Sequence, residues 1–234
     1  MHKMRAMIVG VAALLAASTA FGSSATKDDA KVLNQATPVL TEIRNAPDHG
    51  IPEGVWNKAQ CVVVIPGMKK AGFIVGGEFG DGMLSCRRGN AWGPPVFMQL
   101  AKGSAGLQAG ITSTDLVLLV MNPTGVQKLL SNKGTLGGDA SIAAGPAGRT
   151  ASAGTDAQMS AELLSYSRSK GLFAGIELSG GSLTPDTKAN DAMYGANANA
   201  KAIVLGTMPV TTTAEGRAFT NALSQGVRAT SGAR

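Results

Sequence analysis

Apolar residues return along this chain with two periods, and the change from one to the other divides it into elements. Between Val32 and Ile43 the apolar positions (Val32, Leu33, Ala36, Leu40, Ile43) share one helical face, which predicts a helix over 27–45. Pro38 lies inside this run, and Thr37 is suited to cap a second helix with Pro38 at its first position, so a kink or break is expected there. The polar face mixes Lys31 and Arg44 with Asp28, Asp29 and Glu42. That mixture suits a helix laid on a core better than one lying in an anionic membrane surface. Pro52 opens a short helix with Trp56 facing inward and Lys58 outward.

From Cys61 onward the pattern is that of strands. Residues 61–65 form a β-branched run and predict a buried strand. Gly67-Met68-Lys69-Lys70 reads as a turn, and 71–79 with 83–88 as a hairpin around Gly80-Asp81-Gly82. Residues 90–95 read as a loop, 96–100 and 107–111 as one glycine-bent strand or two short ones, and 116–121 as a central strand. Pro123 begins a helix to Leu130, and 139–144 reads as a strand. Residues 163–166 and 172–178 suggest a hairpin around 168–171, and 186–194 and 198–205 are short helices or irregular. Thr213 is placed to cap a last helix with Ala218, Phe219, Ala222 and Leu223 on one face. Many short strands with a few helices predict an α+β domain built on a mainly antiparallel, curved or barrel-like sheet with flanking helices.

Composition narrows this picture. With 234 residues, 44% hydrophobic and 15% charged, the chain can bury one core and is not a disordered segment. Aromatics make up only 4% against 31 glycines, so backbones must approach closely where large rings would otherwise fill space. Residues 1–22 read as a signal peptide: His2, Lys3 and Arg5, then an apolar run over 6–17, then Ala20 and Gly22 before a cut ahead of Ser23, with a cut after Ala25 as the alternative. The run is short for a membrane span, and the first cysteine, Cys61, lies too late for lipid attachment at the cut. The expected mature chain, 23–234, is a single periplasmic or secreted domain. Losing Lys3 and Arg5 takes its formal charge from +6 to +4, which permits attraction to a polyanion without requiring it. In an oxidising compartment Cys61 and Cys86 are expected to pair, closing a loop that contributes roughly 3 kcal/mol in the chain-entropy treatment.

The residues offer little catalytic chemistry. Past the signal region there is one histidine, His49, too few for the usual zinc site and unaccompanied by a G-x-S-x-G elbow. The glycine run over 76–82 is not G-x-G-x-x-G, no phosphate-loop motif occurs, and the acids lack EF-hand spacing, so neither cofactor nor metal is expected. Asp115 is expected to hydrogen-bond a turn. Basic residues gather at predicted turns: Lys69 and Lys70, Arg87 and Arg88, Lys102, Arg149 after Gly145-Pro146-Ala147-Gly148, and Arg168 with Lys170. Turn amides beside such side chains can hold a phosphate or carboxylate. For any single one of them an ordinary solvated charge is the simpler reading, and for Arg149 a buried structural role is equally open. Modest charge and the absence of exposed aromatic platforms argue against nucleic acid.

Several segments together resemble the SYLF domain family. They are GPAGR at 145–149, SYSRSKGLFAGIELSG at 165–180, DAMYG at 191–195, STDLVLLVMN at 113–122, and the IPEG…CVVVIP stretch over 51–66. The resemblance spans about residues 30–205. It implies a non-enzymatic lipid-binding domain, recognising anionic phospholipid or phosphoinositide-type headgroups in eukaryotic relatives and actin in some fungal ones. An exported chain would meet neither actin nor phosphoinositides. What carries over is recognition of an anionic phospholipid or membrane surface by the basic loops, with Lys69, Lys70, Arg149, Arg168 and Lys170 as the candidate residues. The competing expectation is a structural or protein-interaction module of the cell envelope that takes no small ligand.

Overall fold

The computed structural model describes residues 27–46, 50–72, 75–105, 110–131, 134–146, 160–169, 172–176 and 178–225. Its helices are α1 (Lys27–Asn45), α2 (Glu53–Lys58), α3 (Pro123–Leu129), α4 (Thr187–Tyr194), α5 (Ala200–Leu205) and α6 (Ala214–Ser224). Its strands are β1 (Cys61–Gly72), β2 (Val75–Arg88), β3 (Ala91–Trp92), β4 (Val96–Ala105), β5 (Gly110–Val120), β6 (Ile142–Ala144), β7 (Leu163–Ser169), β8 (Leu172–Gly175) and β9 (Gly181–Pro185). They form one sheet in the order β6-β7-β5-β1-β2-β4-β9, with β3 added to β2 and β8 to β7. All pairings are antiparallel except β6 with β7. The sheet curls into a half-barrel, the α+β architecture expected from the pattern.

Both faces of the sheet are covered, which is why its central strands are apolar without alternation. On one face Val62, Val64, Met83, Phe97, Val117 and Leu119 pack against Leu33, Leu40 and Ile43 of α1, Trp56 of α2 and Phe219 of α6. On the other, Cys61, Val63, Ile65, Leu84, Met98 and Leu118 pack against Leu129 of α3, Leu136, Ala140 and Ile203 of α5. The β9 edge is not left open: Leu136 N donates to Gly181 O at 2.7 Å and Leu183 N to Gly134 O at 2.9 Å. Cys61 and Cys86 are directly opposed across β1 and β2 and are joined by a disulfide, as expected.

Several sequence expectations need correction. Gly67–Lys70 is not a turn; β1 continues through it with a bulge between Ile65 and Met68, where Gly67 takes φ +59°. Gly80-Asp81-Gly82 is not the hairpin turn either. It lies in mid-strand, and β1 and β2 stay paired out to Gly72 and Gly76. These glycines serve side-chain packing: a Cβ would stand 2.5 Å from Ile65 Cγ2 at Gly80 and 2.6 Å from Ile65 Cγ1 at Gly82. Helix α1 is continuous through Pro38, and the Thr37 hydroxyl donates to Leu33 O at 3.2 Å instead of capping a second helix. Only 142–144 of the expected 139–144 strand forms a strand, Ala140 making an isolated bridge to Leu136, and β8 ends at Gly175 rather than at 178. Trp92 sits on a two-residue strand, and β9 was not anticipated at all. The expected cap of α6 does form, Thr213 accepting from Gly216 N, and α4 is capped in the same way by Asp186, which accepts from Ala189 N.

The packing assigns opposite signs to two glycine substitutions. Gly82→Val drives a side chain into Ile65 and Val64 O and should cost about 1–3 kcal/mol in urea unfolding. Gly54→Ala, in α2 with open space around it, should stabilise by up to about 1 kcal/mol.

Candidate functional site

The bulge in β1 organises the charges around it. Gly67 N donates to Asp115 Oδ1 at 2.8 Å, the turn-like bond expected of Asp115. Asp115 is paired in register with Arg168 on β7, and its Oδ2 lies 3.4 Å from Arg168 Nη1. The same Arg168 nitrogen bonds the Glu42 carboxylate of α1. Arg168 therefore joins two strands and a helix through two carboxylates.

The other candidate cations divide by face. Strand alternation puts Lys69 and Lys70 on opposite sides of β1. Lys70 pairs across the sheet with Glu78, Nζ to Oε1 3.2 Å, and Lys102 of β4 is the register partner of Glu78 on its other side. Glu78 is only 8% exposed and has a lysine on each flank. Lys69 lies in the row Ser113–Lys69–Phe79–Ala101 on the face that carries α1. Lys69 is exposed and has no ion pair with a carboxylate among the described residues.

Arg87 and Arg88 are structural. The Arg87 guanidinium lies 4.4 Å from the centre of the Trp92 ring and donates to Ala59 O at 2.9 Å, while Arg88 bonds Ile203 O and Val204 O at the end of α5. Arg149, Lys170 and His49 lie outside the described residues.

Phe79 was not singled out by the sequence reading, because the misplaced turn put it at a strand end. Counting alternate residues back from buried Met83 through Asp81 would have placed it on the α1 face. The ring is 58% exposed, and with Leu205 it is one of two large apolar side chains exposed among the described residues. It lies against Gly77, where a Cβ would stand 2.2 Å from Phe79 Cε2.

The signature segments meet at Tyr166. Its ring passes so close to Gly145 that a Cβ there would stand 2.1 Å from Cζ, and Gly175, its register partner, abuts the Gly145 backbone. The Tyr166 hydroxyl is buried without a hydrogen-bond partner among the described residues, and that burial pushes its pKa far above the ordinary phenol value. Next to α1, partial burial and then repulsion from Asp186 and Asp29 hold the Asp81 carboxyl above the usual range, against a bond from Gln99 that acts to lower it. No group of three His, Cys, Asp or Glu that could hold a metal ion occurs among the described residues. No described helix is long and apolar enough to cross a membrane.

These features define a class: an α+β half-barrel whose charged side chains mostly tie the fold together, with a lysine-rich end. Residues 101–225 match the family described as "Ysc84: Las17-binding protein actin regulator", and the chain belongs to this Ysc84, or SYLF-domain, family. It is 36% identical over 217 residues to "LAS seventeen-binding protein 3" of Saccharomyces cerevisiae, covering 88% of this chain and 46% of that one. It is 34% identical over 174 residues to "SH3 domain-containing YSC84-like protein 1" of Xenopus laevis, covering 74% and 51%. The chain thus spans about half the length of the relatives it matches. Their names describe binding and SH3 domain-containing proteins and not enzymes.

Arg168→Met should destabilise the fold by about 1–2 kcal/mol in thermal or urea unfolding, because Asp115 and Glu42 lose their shared cation while remaining partly solvated. Asp81→Asn should stabilise at neutral pH. A carboxyl whose folded pKa is raised is penalised above that pKa, and the penalty fades as pH falls through it toward the unfolded value. The gain in Tm should therefore shrink from neutral pH to about pH 4 and vanish below it.

Proposed function

We propose that this chain is a non-catalytic module of the bacterial cell envelope that binds anionic phospholipid surfaces. The observation that carries this reading is the end of the sheet where β1, β2 and β4 run out together. There Lys70 and Lys102 flank a single acid, Glu78, on one face, and Lys69 stands exposed on the other. Two positive charges in excess on closely spaced strands attract anionic headgroups with an energy of about 1 kcal/mol per lysine near the surface. Export, read from residues 1–22, would place the module among phosphatidylglycerol and cardiolipin. A second reading, a protein partner, is favoured by the printed names of the relatives, which describe Las17 binding.

Co-sedimentation of residues 23–234 with phosphatidylglycerol vesicles, against phosphatidylcholine, tests the first reading. Binding to the acidic vesicles alone, weakening as salt is raised, is the expected result. The double variant Lys69→Gln, Lys102→Gln retains the Lys70–Glu78 pair and should bind roughly tenfold less tightly at low salt. Equal recovery with both lipids, or none with either, would reject headgroup recognition in favour of a protein partner.

A further inference from the structure

We infer that Phe79 and Lys69 form a membrane-docking element, in which the ring enters the interfacial layer of an anionic bilayer while the lysine meets a lipid phosphate. The inference rests on the anionic-surface reading above and assigns the residues that make the contact. Helix α1 covers this face only as far as the row of the β1 bulge. Glu42 meets Arg168, the partner of Asp115, at one end of that row, and Asp29 acts on Asp81 toward the other. The next row outward, Ser113–Lys69–Phe79–Ala101, has exposed side chains throughout.

A phenylalanine in that row is held, not merely tolerated. Its ring occupies the space over Gly77 that any side chain there would fill, so its position is set by the backbone beneath it. Directly opposite stands Lys69, with no carboxylate partner among the described residues. An aromatic ring beside a long cationic side chain suits the boundary between acyl chains and headgroups, where the ring finds apolar contact and the ammonium finds phosphate. A protein partner is the poorer fit. Among the described residues of this row, one ring flanked by Lys69 and Ala101 is far less apolar surface than a stable protein interface of about 1,200 Å² or more requires, whereas a bilayer demands no shape complementarity.

Two variants test this with phosphatidylglycerol vesicles. Phe79→Ser should keep salt-sensitive adsorption at low salt, because the lysines remain, but lose tenfold or more of the binding that persists at about 0.15 M salt. Phe79→Trp adds an exposed indole to a chain whose Trp56 and Trp92 are buried. Its added emission should shift blue on vesicle binding and be quenched by lipids brominated on their acyl chains. Matching thermal melts would show that both variants fold. If wild type binds the vesicles while Phe79→Ser binds equally at both salts and the new indole neither shifts nor quenches, the docking element is overturned and headgroup binding by the lysines survives. If wild type binds no vesicle, both readings fall. Wild-type self-association in sedimentation velocity that Phe79→Ser abolishes, without vesicle binding, would instead assign the face to a second copy and overturn the bilayer assignment.

Discussion

The extra residue in β1 is the constraint on which the rest of this structure depends. Between Val64 and Lys69 the strand advances five positions while β2, from Met83 to Phe79, advances four. A single insertion reverses the facing of every side chain beyond it. Because of it, Met68 turns into the core on the face of Ile65, Lys69 comes opposite Phe79, and Lys70 comes opposite Glu78. In regular register Met68 would leave that core and Lys69 would leave the face of Phe79. The bulge is held by two local devices, the left-handed Gly67 and the carboxylate of Asp115 that accepts its N–H. Asp115 in turn positions Arg168, and Arg168 holds α1 through Glu42. Strand register, helix docking and exposure of the sheet end are thus connected through one short stretch of backbone.

Close packing on both faces explains the use of glycine. Ile65, beside the bulge, reaches across to β2 and needs Gly80 and Gly82 to be without side chains. Tyr166 makes the same demand of Gly145, and the backbone of Gly145 makes it of Gly175. The glycines of the signature segments therefore mark where one element lies directly on another. With few aromatic rings to fill a core, close approach of backbone supplies the density that burial requires.

The sequence made the class of fold legible, because helical and strand periods alternate and the continuous run at Cys61–Ile65 announces a strand covered on both sides. The pairing of Cys61 with Cys86 and the cap at Thr213 were legible for equally local reasons. The hairpin turn was not. Asp-Gly between glycines has the chemistry of a turn, and nothing local reveals that Ile65, fifteen residues earlier than Gly80, needs that space. Strand β9 escaped because its residues, GSLTP, carry little apolar pattern and are fixed by β4 on one side and by residues 134–136 on the other. For the site, sequence could gather basic residues near supposed turns but could not say which were neutralised. Arg168 met Glu42 and Asp115, Lys70 met Glu78, and Arg87 and Arg88 met carbonyl oxygens.

That neutralisation bears on which element can approach a surface. The amphipathic helix α1 is the first candidate that pattern suggests, yet its inner face is buried from Leu33 to Ile43 and Glu42 is bonded to Arg168. Freeing it would expose the core on that side of the sheet and take the Glu42 carboxylate away from Arg168. The β1–β2 hairpin end bears no such cost. Lys69 and Phe79 are already exposed, and the register fixed by the bulge and the ion pair beneath them holds both in place. A surface that needs no rearrangement to bind pays little ordering entropy, so even a small contact can be productive there. Within this fold the exposed strand end is therefore better suited to an encounter than the helix.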